Sequence, residues 1–204
     1  MNSDRRFHWK LRQGGTTGRR LALGGSFALL TLLGLPATGQ LPLSELVEGL
    51  KLSAYPSGWR PPPFAAGTPA GQKVSLADFE GRVVLLNFWA TWCSSCLREM
   101  PLFEQVHREY AAAGLTVLGV NIQEDEQAIQ RYGHKLGLSF PLVLDVNGKI
   151  SRAYGVLGLP STYLIGRDGR PVALAVGSRE WESPPARALI EALLAEPSTR
   201  RGAR

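Results

Sequence analysis

The chain is 204 residues long, 44% hydrophobic and 20% charged, enough to bury one ordinary globular core. Its formal charge of +6 is unevenly spread: Arg5, Arg6, Lys10, Arg12, Arg19 and Arg20 precede the first apolar run, opposed there by Asp4 alone. From residue 40 onward 17 basic residues face 16 acidic ones, so the folded part is close to neutral and an electrostatic nucleic-acid footprint is excluded.

In chain order, residues 1–39 read as an export segment. A basic stretch ends at Arg19-Arg20, and no charge follows until Glu45. The run 21–35 is mostly Leu, Ala, Gly and Phe, and Ala37 and Gly39 are small residues that suit cleavage before Gln40. A spanning helix needs about 20 apolar residues. This run is shorter and interrupted by Gly24, Gly25, Gly34 and Pro36, so 1–39 is expected to be a signal peptide or an uncleaved N-terminal anchor. The first cysteine is Cys93, which excludes a lipoprotein anchor.

Residues 40–60 carry a short amphipathic stretch (Leu43, Leu46, Val47, Leu50) followed by turn residues, and are expected to be a lead-in to a domain over 61–196. Pro61-Pro62-Pro63 and the 67–71 stretch do not belong inside a helix or a central strand. The apolar run 83–88 predicts a strand buried on both faces. Leu97, Met100, Phe103, Val106 and Tyr110 predict a helix over 96–113, stopped by Gly114. A strand over 115–120, a polar helix over 123–138, a strand over 140–144 and a short helical segment ending near Gly155 come next. Strands over 161–165 and 171–176 flank Arg167-Asp168-Gly169, a hairpin signal, and a helix over 184–195 closes the domain. Residues 197–204, with Arg200, Arg201 and Arg204, read as a disordered basic tail. Strands alternating with helices, then a hairpin and a last helix, predict an α/β fold with antiparallel strands at its end.

Trp92-Cys93-Ser94-Ser95-Cys96 falls between a buried strand and the start of a helix. The first N–H groups of a helix lack internal partners and carry partial positive charge, which favours a thiolate on Cys93. Cys96, one turn on, is within reach to resolve a mixed disulfide. The competing reading is a structural staple, but so short a loop yields only about 2 kcal/mol by chain entropy. Zinc would need two further ligands, and neither His107 nor His134 has metal spacing to the pair. No metal or cofactor is expected, and both histidines are expected at the surface.

The run from Asn87 through Trp89, Trp92, Cys93, Cys96 and Glu99 to Pro101 resembles the TlpA/ResA-like branch of the thioredoxin superfamily. The resemblance extends to the 74–82 approach, to Gly119-Val120-Asn121 and to the 154–162 segment, and so covers roughly residues 60–196. It implies a thioredoxin-like α/β fold, a central mixed sheet flanked by helices. It also implies a thiol–disulfide oxidoreductase of the bacterial periplasm, free or anchored in the inner membrane. That enzyme would reduce client disulfides, among them the haem-binding pair of apocytochrome c, with electrons from a membrane thiol donor. Carried over by residue, Cys93 would be the nucleophile, Cys96 the resolving cysteine and Pro160 a cis-proline leaving the Leu159 backbone free to pair with a client. Glu99 would be an acid close to the dithiol, its alternative being a solvated first-turn glutamate; Trp89 and Trp92 would pack the core or shape the client groove.

Three departures qualify the resemblance. Asn87 stands where thioredoxin has a buried aspartate, and it cannot accept a proton. Ser95 stands where relatives have proline before the second cysteine, and Ser161 stands where haem-maturation members have glutamate. Two other chemistries share the scaffold. A peroxiredoxin-like peroxide reductase would use Thr91 ahead of Cys93, and a copper-binding assembly chaperone would need His134 to meet the cysteines.

Overall fold

The computed structural model describes residues 41–56 and 58–198. The 1–39 segment and residues 199–204 of the tail lie outside the described residues. The chain runs α1 (Leu43–Gly49), β1 (Ser53–Ala54), β2 (Ala65–Gly67), β3 (Lys73–Ser75), a 3-10 turn (Leu76–Phe79), β4 (Val83–Trp89), α2 (Ser94–Tyr110), β5 (Leu115–Ile122), α3 (Glu126–Leu136), β6 (Leu142–Asp145), α4 (Lys149–Ala153), β7 (Ser161–Ile165), β8 (Pro171–Val176) and α5 (Pro184–Ala195). Six strands form one mixed sheet in the order β1-β8-β7-β4-β5-β6, and β2 pairs with β3 in a separate hairpin. This is the thioredoxin-like α/β architecture, its parallel part (β4, β5, β6) joined to an antiparallel part (β7, β8, β1).

β4 is central because every residue in it is buried. Val83, Leu85 and Trp89 face a core built with α1, α2, α3 and α5, while Val84, Leu86 and Phe88 face a second core with α4 and an aromatic cluster from residues 55–79. The strand is a continuous apolar run rather than an alternating one because both faces are covered. Its parallel partner is in register from Val83 opposite Leu115 to Trp89 opposite Asn121. On the other side Asn87 faces Thr162 and Phe88 faces Ser161, so the start of β7 lies beside the C-terminal end of β4.

Local chemistry explains the boundaries. Asp125 caps α3 by accepting the Ala128 N–H at 2.8 Å, and Gly137 ends that helix in the left-handed region at φ 63°. Pro184 opens α5, where its missing N–H costs no hydrogen bond. Residues 40–60 do more than lead in. Leu46, Val47 and Leu52 are buried in the main core, and β1 extends the sheet with Ser53 opposite Leu174 and Ala54 opposite Ala173.

Candidate active site

β4 delivers the chain at the C-terminal edge of the sheet, and α2 begins five residues past Trp89. Cys93 is the N-cap of α2, and the Cys96 N–H donates to its sulfur at 3.2 Å. Cys93 and Cys96 form a disulfide with Cα atoms 5.2 Å apart. Cys93 keeps 7% of its surface and Cys96 none, so the two sulfurs differ in access. An anion on Cys93 would meet the helix's unpaired N–H groups and the positive end of its dipole. The Ser95 hydroxyl lies 3.3 Å from the Cys93 sulfur, a donor that a proline at this position would not supply.

Glu99 sits on α2 one turn beyond Cys96, where i,i+3 side chains share a face. It is buried, 1% exposed, which excludes the solvated first-turn reading. Its Oε1 accepts from the Arg179 N–H at 2.7 Å and from the Trp181 indole N–H at 2.8 Å, while Oε2 has no partner. Burial pushes the carboxyl up to about 7. The Arg179 N–H, the Trp181 indole and the Arg179 charge pull the other way, and Glu180 adds to the rise. Glu104, on the same helix and also buried, is shifted down. Burial is outweighed there by the Ser139 N–H and hydroxyl and by Arg108. Two buried glutamates on one helix thus differ because Glu104 has three donors, one of them the Arg108 guanidinium, while the more deeply buried Glu99 has two donors and a bare oxygen. Asn87, in the strand below, donates to the Thr162 hydroxyl at 3.0 Å.

The Leu159–Pro160 peptide is cis. The Pro160 carbonyl accepts the Gly177 N–H at 2.8 Å, and the Ser178 hydroxyl donates to the Ser95 carbonyl at 3.1 Å. Leu159 and Pro160 are thereby tied to the turn between the cysteines. Leu159 is half-buried, and its N–H and C=O make no hydrogen bond among the described residues. Trp92 is 72% exposed and Leu157 fully so, whereas Trp89 is core and plays no part in a surface.

Sequence reasoning missed Glu124. Its carboxylate accepts from the Thr91 N–H and the Asn121 side-chain amide at 2.7 Å each and from the Thr91 hydroxyl, holding the loop before Cys93 against the end of β5. Gln123, ahead of it, takes a left-handed backbone at φ 56°, sparsely populated by a residue with a Cβ. The Thr91 hydroxyl donates to Glu124, and no hydrogen bond joins it to the Cys93 sulfur among the described residues. His107 is half-buried rather than at the surface. Its Nδ1 accepts the Val117 N–H at 3.3 Å, and burial lowers its basicity. His134 is exposed in the last turn of α3, a helix about 16 Å long that starts at the cysteine end of the sheet and runs away from it. It does not meet the cysteines.

The chain is similar to known proteins in both sequence and fold. Residues 58–171 match the AhpC/TSA family. The chain is 35% identical over 130 residues to the thiol-disulfide oxidoreductase ResA of Geobacillus thermodenitrificans, covering 64% of this chain and 75% of that one. Among solved structures it superposes on a thiol:disulfide interchange protein of the thioredoxin family from Chlorobium tepidum with TM-score 0.62, at 26% identity, over 69% of this chain and 99% of that one. A secreted thiol-disulfide isomerase from Corynebacterium glutamicum gives TM-score 0.60 at 25% identity, over 70% and 89%.

Proposed function

This chain belongs to the AhpC/TSA family and is a thiol–disulfide oxidoreductase acting on disulfide-containing client proteins, and from that premise we propose that it works outside the cytoplasm, in the periplasm or anchored to the inner membrane facing it, as a reductant whose nucleophile is Cys93. The observation that carries the reading is the placing of the pair: Cys93 at the mouth of a 17-residue helix with residual access, bonded to a fully buried Cys96 one turn behind.

The Cys93 thiolate attacks one sulfur of a client disulfide, and the client's other sulfur leaves as a thiolate that takes a proton from water. Cys96 then loses its proton and attacks the Cys93 sulfur, forming the bond seen here and releasing the second client thiol. Two electrons pass to the client, and the enzyme ends oxidised. Glu99 takes the Cys96 proton, since it shares a face with that residue, carries a free oxygen and is half-protonated near neutral pH. Asn87 has no basic atom for this. The unpaired Leu159 main chain pairs with an extended client segment as an added strand, and Trp92 covers the client's apolar flank.

The basic-then-apolar 1–39 segment and the secreted relative support export. Electrons come from a membrane thiol donor, and the haem-binding cysteine pair of apocytochrome c is the first client to assay. Ser161 is spent on its own loop, its hydroxyl donating to the Gly158 carbonyl at 2.7 Å, so no acid beside Pro160 selects that client alone.

The test is to supply the pre-reduced protein with insulin and, separately, with hydrogen peroxide. Insulin chains are expected to separate at a rate set by the enzyme, with peroxide consumed no faster than by free dithiol. Peroxide turnover exceeding disulfide turnover would overturn the assignment in favour of a peroxide reductase.

A further inference from the structure

Residues 177–179 hydrogen-bond to three parts of the site described above: the cis-proline loop, the first turn of α2 and Glu99. Gly177 donates to the Pro160 carbonyl, Ser178 to the Ser95 carbonyl, and the Arg179 N–H to Oε1 of Glu99. The Arg179 side chain turns back over its own loop. Nη1 lies 3.3, 3.2 and 2.9 Å from the carbonyls of Val176, Gly177 and Ser178. Nε and Nη2 reach the carbonyls of Leu50 and Lys51, each at 3.1 Å. Those two carbonyls lie just past the end of α1, where no later N–H of the helix remains to meet them and where a cation is favoured by the dipole. Lys51 holds a left-handed backbone there, at φ 53°.

We propose that Arg179 is a positioning residue for the exchange reaction: by gathering five main-chain carbonyls from two segments, its guanidinium fixes the loop so that the Arg179 N–H stays on Glu99, and it ties that hydrogen bond to the 50–51 turn that follows the N-terminal helix. The planar five-donor fork suits this task, and an ammonium group would satisfy fewer of the carbonyls. Among the described residues the fork makes no salt bridge: the three acceptors on its own loop and the two past α1 are all amide oxygens. Its charge acts on Glu99 in the direction that favours the carboxylate. The other titratable groups facing Glu99 are Glu180 on the same loop and Cys96 on α2, and the latter does not titrate in the disulfide form. Removing the guanidinium withdraws a favourable charge and loosens a donor, and both changes favour the protonated acid.

The inference rests on the reading of Glu99 as a working acid, but its test does not. In the oxidised full-length protein with 13C-labelled glutamate carboxyls, Glu99→Gln identifies the Glu99 signal by its loss. The wild-type signal is expected to titrate near 7. Arg179→Ala is expected to move that midpoint up by about one pH unit, and Arg179→Lys to move it up by less, since the cation stays while the fork is lost. Both variants titrating at the wild-type midpoint would overturn the proposal. If Arg179→Ala does not fold, the lysine variant decides alone, an unchanged midpoint again overturning it. Failure of the proton-transfer reading would appear elsewhere, as Glu99→Gln exchanging with clients at the wild-type rate whatever this titration shows.

Discussion

Cys93→Ala is expected to lower the rate of client-disulfide reduction by at least about a thousandfold, because it removes the one sulfur that both meets the helix's free N–H groups and retains access to solvent. The geometry gives no substitute. Cys96 is fully buried, and its own N–H points at position 93, so its sulfur has neither a path to a client nor the same donor. The fold is expected to survive. Loss of the crosslink removes only about 2 kcal/mol of chain-entropy stabilisation for so short a loop, and the core beneath it is built from Met100, Phe103, Leu189 and Ile190 without it. Insulin turnover and thermal melting of the same sample check both halves. A variant retaining more than a few per cent of activity would remove Cys93 from the nucleophile's role.

Glu99→Gln is expected to remove a pH dependence of stability and to slow the second half of exchange by about a hundredfold. The carboxyl's ordinary value of 4.5 is raised to about 7 in the fold by burial. Between these two pH values the folded chain holds a proton that the unfolded chain has released. Stability is therefore fully present below 4.5, falls as pH rises, and has lost its contribution once pH passes about 7, a change of about 3 kcal/mol. Glutamine keeps an oxygen for the Arg179 and Trp181 donors and carries no charge at any pH, so the slope of denaturant midpoint against pH between 5 and 8 should flatten. Trp181 is held for this contact by stacking on Phe103, ring centroids 5.4 Å apart. An equal slope in wild type and variant would contradict the assignment of the titrating group.

The sequence carried some parts of this architecture much more clearly than others. β7, β8 and α5 begin and end where Arg167-Asp168-Gly169, Pro171 and Pro184 put them, because a tight hairpin and a proline at the first helical turn are local devices. β4 was legible as an unbroken apolar run. β1 was not, since two residues carry no period and the strand exists only because β8 offers it an edge. The same holds within the site. The cysteine spacing and its position ahead of a helix are local, and so is the i,i+3 relation of Cys96 to Glu99. The burial of Glu99 depends on Trp181 and Arg179, about 80 positions away in the chain, and no spacing encodes it. Glu124 and Arg179 look like ordinary surface charges in the sequence. They act on backbone groups across the fold, at Thr91 in one case and at Leu50 and Lys51 in the other, contacts that follow from tertiary placement alone.

Cys96→Ser offers the sharpest decision on the mechanism. With the resolving sulfur gone, a client captured by Cys93 has no exit, and purification from cells under acid quench should recover a covalent complex. Peptide mapping is predicted to place the mixed disulfide on Cys93, with reduction releasing an intact client and Cys93→Ser yielding no comparable complex. Equal capture by Cys93→Ser, or a bond mapped to any other position, would contradict the order of attack on which the whole account depends.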